Sequence, residues 1–156
     1  MTLKKYKPYA ISIAIPLAVG GISAFFTRKG MPYYDTQIKP WFSPPDAVFP
    51  IVWTILYILM GISALRIWRS NDPKKTGALK IYAVQLLVNF LWSVIFFGLK
   101  QYFFAFLWLL LLIVLVAKMI WAFAHIDLKA AKLQFPYLLW CMFAAILNFE
   151  VWWLNR

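Results

Sequence analysis

Apolar residues gather along this chain in five long runs separated by short polar breaks. A helix that crosses a membrane needs about 20 such residues, because each adds 1.5 Å and the hydrocarbon is roughly 30 Å thick. The runs predict helices over about 9–26, 47–68, 79–99, 103–124 and 133–154. The expected fold is an all-α membrane protein, a bundle of five transmembrane helices forming a single domain over 1–156, with a structured loop between helices 1 and 2 acting as a lid. Only a tight turn near Lys100-Gln101 joins the third and fourth runs, which makes them antiparallel neighbours. The fifth carries Pro136 in its first turn, where a missing N–H is tolerated.

The first run follows Lys4, Lys5 and Lys7 and has Ile22-Ser23-Ala24 near its end, so it has features of a secretory signal. Against that, Ser12, Pro16, Gly20 and Ala24 repeat at i, i+4 spacing. Such a small-residue stripe lets another helix approach closely, which argues for a retained helix. Between the first two runs, Arg28 to Pro45 forms the lid. Pro40, Pro44, Pro45 and Pro50 fix φ and disfavour helix just before each, so stiff turned chain should persist to Phe49. Pro45 and Pro50 suit a first helical turn, with Asp46 as N-terminal cap or first-turn anion.

Composition strengthens this picture. The chain is 64% hydrophobic and 20% aromatic, with mean hydropathy +0.75, far above soluble averages of roughly 45–50% apolar. Its net charge of +11 does not point to nucleic acid, because the cations lie between apolar runs, as topogenic charges and contacts to anionic lipids do. Lys4, Lys5, Lys7, Arg66, Arg69, Lys74, Lys75, Lys80, Lys129 and Lys132 fall on one side. Arg28, Lys29, Lys39, Lys100 and Arg156 fall on the other. The positive-inside rule therefore expects a cytoplasmic N-terminus and an outward lid. Cys141 is the single cysteine, so neither an intrachain disulfide nor a cysteine metal site is available. His125 and Asp127 have no third ligand spaced for a metal, and no nucleotide loop, catalytic triad or paired-carboxylate spacing occurs.

In the third run Gln85, Asn89, Trp92, Ser93 and Phe96 share one helical face. Amides avoid lipid, so this face looks into the bundle, either to bond other helices or to meet a ligand. In the fifth, Trp140, Ala144, Leu147, Asn148 and Val151 share a face, and in the second Trp53, Tyr57, Gly61 and Ala64 do, with Trp53 just beneath the lid. Trp41, Trp68, Trp121, Trp152 and Trp153 read as interfacial anchors, and for Trp53 and Trp140 an anchor role competes with a pocket role. Lys118 snorkels from a helix end, and Glu150 reaches water or Arg156.

Several pieces together resemble the TspO/MBR family of tryptophan-rich sensory and translocator proteins. These are Tyr34, Lys39-Pro40 and Pro44-Pro45 ahead of Pro50-Ile51-Val52-Trp53 and Leu56-Tyr57; Gln85, Asn89, Trp92 and Phe96-Phe97-Gly98; and Pro136-Tyr137-Leu138 with Trp140, Phe143-Ala144 and Leu147-Asn148. The resemblance implies five helices around a pocket capped by the first loop. It implies porphyrins as ligands (protoporphyrin IX and haem-related tetrapyrroles), with sterols and drug ligands in animal members. Matched residue by residue, Trp53 and Trp140 take the places of pocket tryptophans implicated in bacterial porphyrin breakdown, Asn89 that of a pocket amide and Tyr34 that of the lid tyrosine. Ala144 matches an alanine whose replacement alters ligand binding. The animal sterol motif needs a central tyrosine where this chain has Phe149-Glu150, a departure that leaves sterol binding an open question.

The expected ligand-binding set is therefore Tyr34, Trp53, Gln85, Asn89, Trp92, Trp140, Ala144 and Leu147, with no required cofactor and porphyrin itself as ligand. The expected role is a receptor or transporter in a bacterial cell membrane rather than a mitochondrial outer membrane. One alternative is an enzyme that degrades porphyrin oxidatively, with Trp53 and Trp140 as catalytic indoles; another is a stress-linked scaffold. Membrane lipids are expected partners, and family resemblance and the small-residue stripe are compatible with a homodimer.

Overall fold

The computed structural model describes residues 2–156. Among the described residues seven α-helices follow in order: α1 (Thr2–Thr27), α2 (Met31–Asp35), α3 (Val48–Trp68), α4 (Lys75–Ser93), α5 (Tyr102–Ala124), α6 (Leu128–Leu133) and α7 (Phe135–Leu154). A π-helical turn, Val94–Gly98, prolongs α4. Taking α4 with its π turn and α6 with α7, five helical units are long and apolar enough to cross a membrane. The described residues contain no strand.

The helix limits depart from the sequence reading where hydropathy is silent. α1 begins at Thr2 rather than near residue 9, because lysines form helix well although they cannot sit in hydrocarbon. The fifth unit starts at Leu128 and breaks at Gln134. Pro136 explains the break, since its ring would meet the Lys132 carbonyl in a continuous helix. α3 starts at Val48 without a side-chain cap. Asp46 is therefore not the N-cap; its carboxylate lies 3.6 Å from the Lys39 ammonium instead. The lid also holds a helix that sequence did not reveal, α2, with Pro32 in its first turn.

Between helices in lipid there is no hydrophobic drive, so close packing and hydrogen bonds must hold the bundle. α1 meets α3 at its small-residue stripe: Ser12 Oγ donates to the Gly61 carbonyl at 2.6 Å. Gly61 is needed for that approach, because a Cβ there would stand 2.5 Å from Ile13 Cα. α5 runs between α4 and α7, burying Leu109, Leu112, Val116, Met119 and Phe123 completely or nearly so. Cys141 lies in the same core with no exposed surface. At the end remote from the lid, Ser63 Oγ donates to the Ala130 carbonyl at 2.7 Å. Arg66 Nε lies 2.8 Å from the Asp127 carboxylate, which also caps α6 through the Lys129 and Ala130 N–H groups. Large apolar side chains such as Leu87, Val114 and Ile146 point outward, as a lipid-facing surface requires.

Candidate functional site

A cavity of about 620 Å³ opens among α1, the lid, α3, α4 and α7, within the range of roughly 300–1,000 Å³ usual for small-molecule sites. Its walls are mostly aromatic. From α3 come Phe49, Trp53 and Tyr57, from α4 and its π turn Trp92, Phe96 and Phe97, and from α7 Trp140. The Trp53 and Tyr57 rings stack at 5.5 Å, and Trp140 packs edgewise on Phe49 at 5.9 Å and tilted on Phe143 at 5.3 Å. Trp92 is held in place by its indole N–H, which donates to Asn148 Oδ1 at 3.1 Å. Asn148 in turn donates to the Tyr102 carbonyl at 2.8 Å. The Trp140 indole nitrogen is buried with no partner, so only ring contacts fix its orientation.

Of the residues expected to bind ligand, Tyr34, Trp53, Trp92, Trp140, Ala144 and Leu147 line this cavity. Gln85 and Asn89 do not. Tyr57 OH donates to Asn89 Oδ1 at 3.2 Å, Asn89 Nδ2 donates to Tyr137 OH at 2.8 Å, and Tyr137 OH donates to Gln85 Oε1 at 2.7 Å. These amides join a buried tyrosine network across α3, α4 and α7, the interhelical role that competed with a ligand role, although Gln85 Nε2 is left without a partner. Sequence reasoning missed Phe49, Arg28, Asp46 and the α1 wall of Leu17, Gly20, Ser23, Ala24 and Thr27. The α1 stripe signalled a close helix contact, and its upper part also borders the cavity.

The lid borders the cavity with few polar groups. Gly30 lies so near the π turn that a Cβ would collide with the Phe97 carbonyl. Tyr34 is buried against Phe96 and Phe97, each at 5.4 Å. The Lys39 ammonium stands 4.6 Å over the Tyr34 ring, 3.5 Å from Asp35 and 3.6 Å from Asp46. Burial first, then Asp46, Tyr102 and Asp35, push the Tyr34 phenol up to about 12, so at neutral pH it is an uncharged hydroxyl. Arg28 and Asp46 are the charged residues that line the cavity. Among the described residues no group of three His, Cys, Asp or Glu could hold a metal.

The family resemblance implied a pocket capped by the first loop, and an aromatic cavity does lie under the proline-rich lid. The TspO/MBR family model matches residues 12–154. The "Tryptophan-rich protein TspO" of Chlorobaculum tepidum is 37% identical over 97% of this chain and 98% of its own length. The "Tryptophan-rich sensory protein" of Cereibacter sphaeroides is 42% identical over 79% of this chain and 77% of its own, and the human "Translocator protein" 35% over 83% and 79%. With the match running from the α1 stripe through the lid to the end of α7, this multi-pass integral membrane protein belongs to the TspO/MBR family.

Proposed function

We propose that the chain binds porphyrins, protoporphyrin IX and related tetrapyrroles, in the cavity beneath the lid, and acts as a membrane receptor or transporter for them. The observation that carries this reading is the aromatic wall contributed by α3, α4 and α7 around about 620 Å³. A flat macrocycle gains most from ring faces, which supply large apolar area with defined stacking geometry. Its carboxylates suit the Arg28 guanidinium at the lid end of the cavity. A relative named as a sensory protein fits a receptor role. Titrating purified protein with protoporphyrin IX tests the reading: saturable binding with a shifted porphyrin absorption band is expected. Absence of binding would leave the scaffold role.

Degradation is the second reading, favoured by Trp53 and Trp140 both lining the cavity. Under light, with dioxygen as oxidant, two indoles beside a bound macrocycle could carry oxidising equivalents. Phe at both positions keeps most of the stacking area and is far harder to oxidise. The Trp53→Phe, Trp140→Phe double variant should still bind protoporphyrin and no longer bleach it. Bleaching at the native rate would make the indoles bystanders, and no bleaching by native protein would remove the enzyme reading.

A further inference from the structure

One side chain fastens the lid to the end of α7. The Ile38 N–H donates to Asn155 Oδ1 at 2.8 Å, and Asn155 Nδ2 donates back to the Ile38 carbonyl at 2.9 Å. The same nitrogen donates to the Val151 carbonyl at 2.7 Å, one turn earlier. Val151 is fully buried in a cluster with Tyr34, Phe96 and Tyr102, so the carboxamide is mounted on a rigid part of the helix. A carboxamide sets a donor beside an acceptor, so it can pair with both polar groups of one residue as a neighbouring β-strand would. Ile38 adjoins Lys39, where the lid's charges converge over Tyr34. Fixing Ile38 therefore restrains the segment whose Lys39 bears on Tyr34 and Asp46, both of which line the cavity.

We propose that Asn155 is a positioning residue that sets how firmly the lid closes, and so how fast a ligand enters and leaves, while not itself lining the cavity. The gating role rests on the cavity being the ligand site; the closure itself is testable without ligand. Ser93 lines the cavity, so Ser93→Cys places a thiol there, and native protein, whose one cysteine is fully buried, serves as the blank. The measured quantity is the rate at which a charged thiosulfonate modifies Cys at 93 in detergent-solubilised protein. Asn155→Asp is nearly isosteric and keeps the acceptor, but turns the donor facing the Ile38 carbonyl into a second acceptor. We expect modification about tenfold faster, as losing roughly one net hydrogen bond implies. Hydrogen exchange at the Ile38 amide should accelerate by a similar factor, with exchange in the middle of α5 unchanged. Asn155→Gln, which restores the donor and acceptor pair, should recover part of the protection.

An unchanged modification rate, or an unchanged Ile38 exchange rate, overturns the proposal. Acceleration spread equally through α5 also overturns it, because Asn155 would then only be ending α7. Failure of protoporphyrin to bind would count against the function proposed above and would leave each of these outcomes readable.

Discussion

Ala144 shows how much of the site a single small residue controls. It lies one turn from both Trp140 and Asn148 and is buried in the cavity wall. Ala144→Thr adds a methyl and a hydroxyl to the cavity wall one turn from Asn148, and overpacking of this kind costs about 1–3 kcal/mol. Protoporphyrin affinity should fall about tenfold or more in a fluorescence titration; unchanged affinity would put Ala144 outside the contact surface. Residues of this sort were readable from the sequence because a helical face can be counted: Trp53, Trp92, Trp140, Ala144 and Leu147 all reach the cavity. Gln85 and Asn89 mark where counting stops. Periodicity says that an amide points inward, but only the position of Tyr57 and Tyr137 on other helices shows which protein groups it meets there.

At the scale of elements, the five spans were legible because hydrocarbon thickness imposes a length on every crossing helix. α2 and the π turn were not, for the reason that tertiary contacts hold them: Gly30 against the Phe97 carbonyl, and Tyr34 between Phe96 and Phe97. The α1–α3 contact invites a direct test. Gly61→Val would push its side chain into the Ile13 backbone and separate Ser12 from the Gly61 carbonyl. We expect a loss of about 1–3 kcal/mol, read as a lower thermal midpoint, together with weaker porphyrin binding because α1 forms one wall of the cavity. α6 has its own dependence on pH. Partial burial pushes the Asp127 pKa up, but the Arg66 guanidinium and the Ala130 and Lys129 N–H groups outweigh it and hold the carboxyl below its ordinary value. A lowered folded pKa means stabilisation present above about pH 4 and lost as pH falls through the folded pKa. Asp127→Asn should therefore lower the thermal midpoint at pH 7 and converge on native protein under acid conditions. A pH-independent difference would mean that the charge of Asp127 is not what stabilises the folded state.

For the whole molecule, orientation follows from the excess of Lys and Arg at the end remote from the lid. That excess predicts a cytoplasmic N-terminus, with the Asn71 loop shielded and the lid accessible. In intact cells an impermeant maleimide should modify Thr36→Cys and spare Asn71→Cys, both of which are exposed positions. The reverse pattern would invert the molecule in the membrane and leave the bundle as described.

The buried Cys141 thiol gives the native chain a reporter of its own. It has no exposed surface, and the core cluster that holds it draws residues from α3, α4 and α5 as well as α7. A thiol reagent can reach it only when those helices part, so slow modification of unmutated protein clocks the opening of the bundle in membranes or detergent. Ligands that grip α3, α4 and α7 together should slow that clock in proportion to their occupancy, which turns one native sulfur into a screen for whatever the cavity accepts.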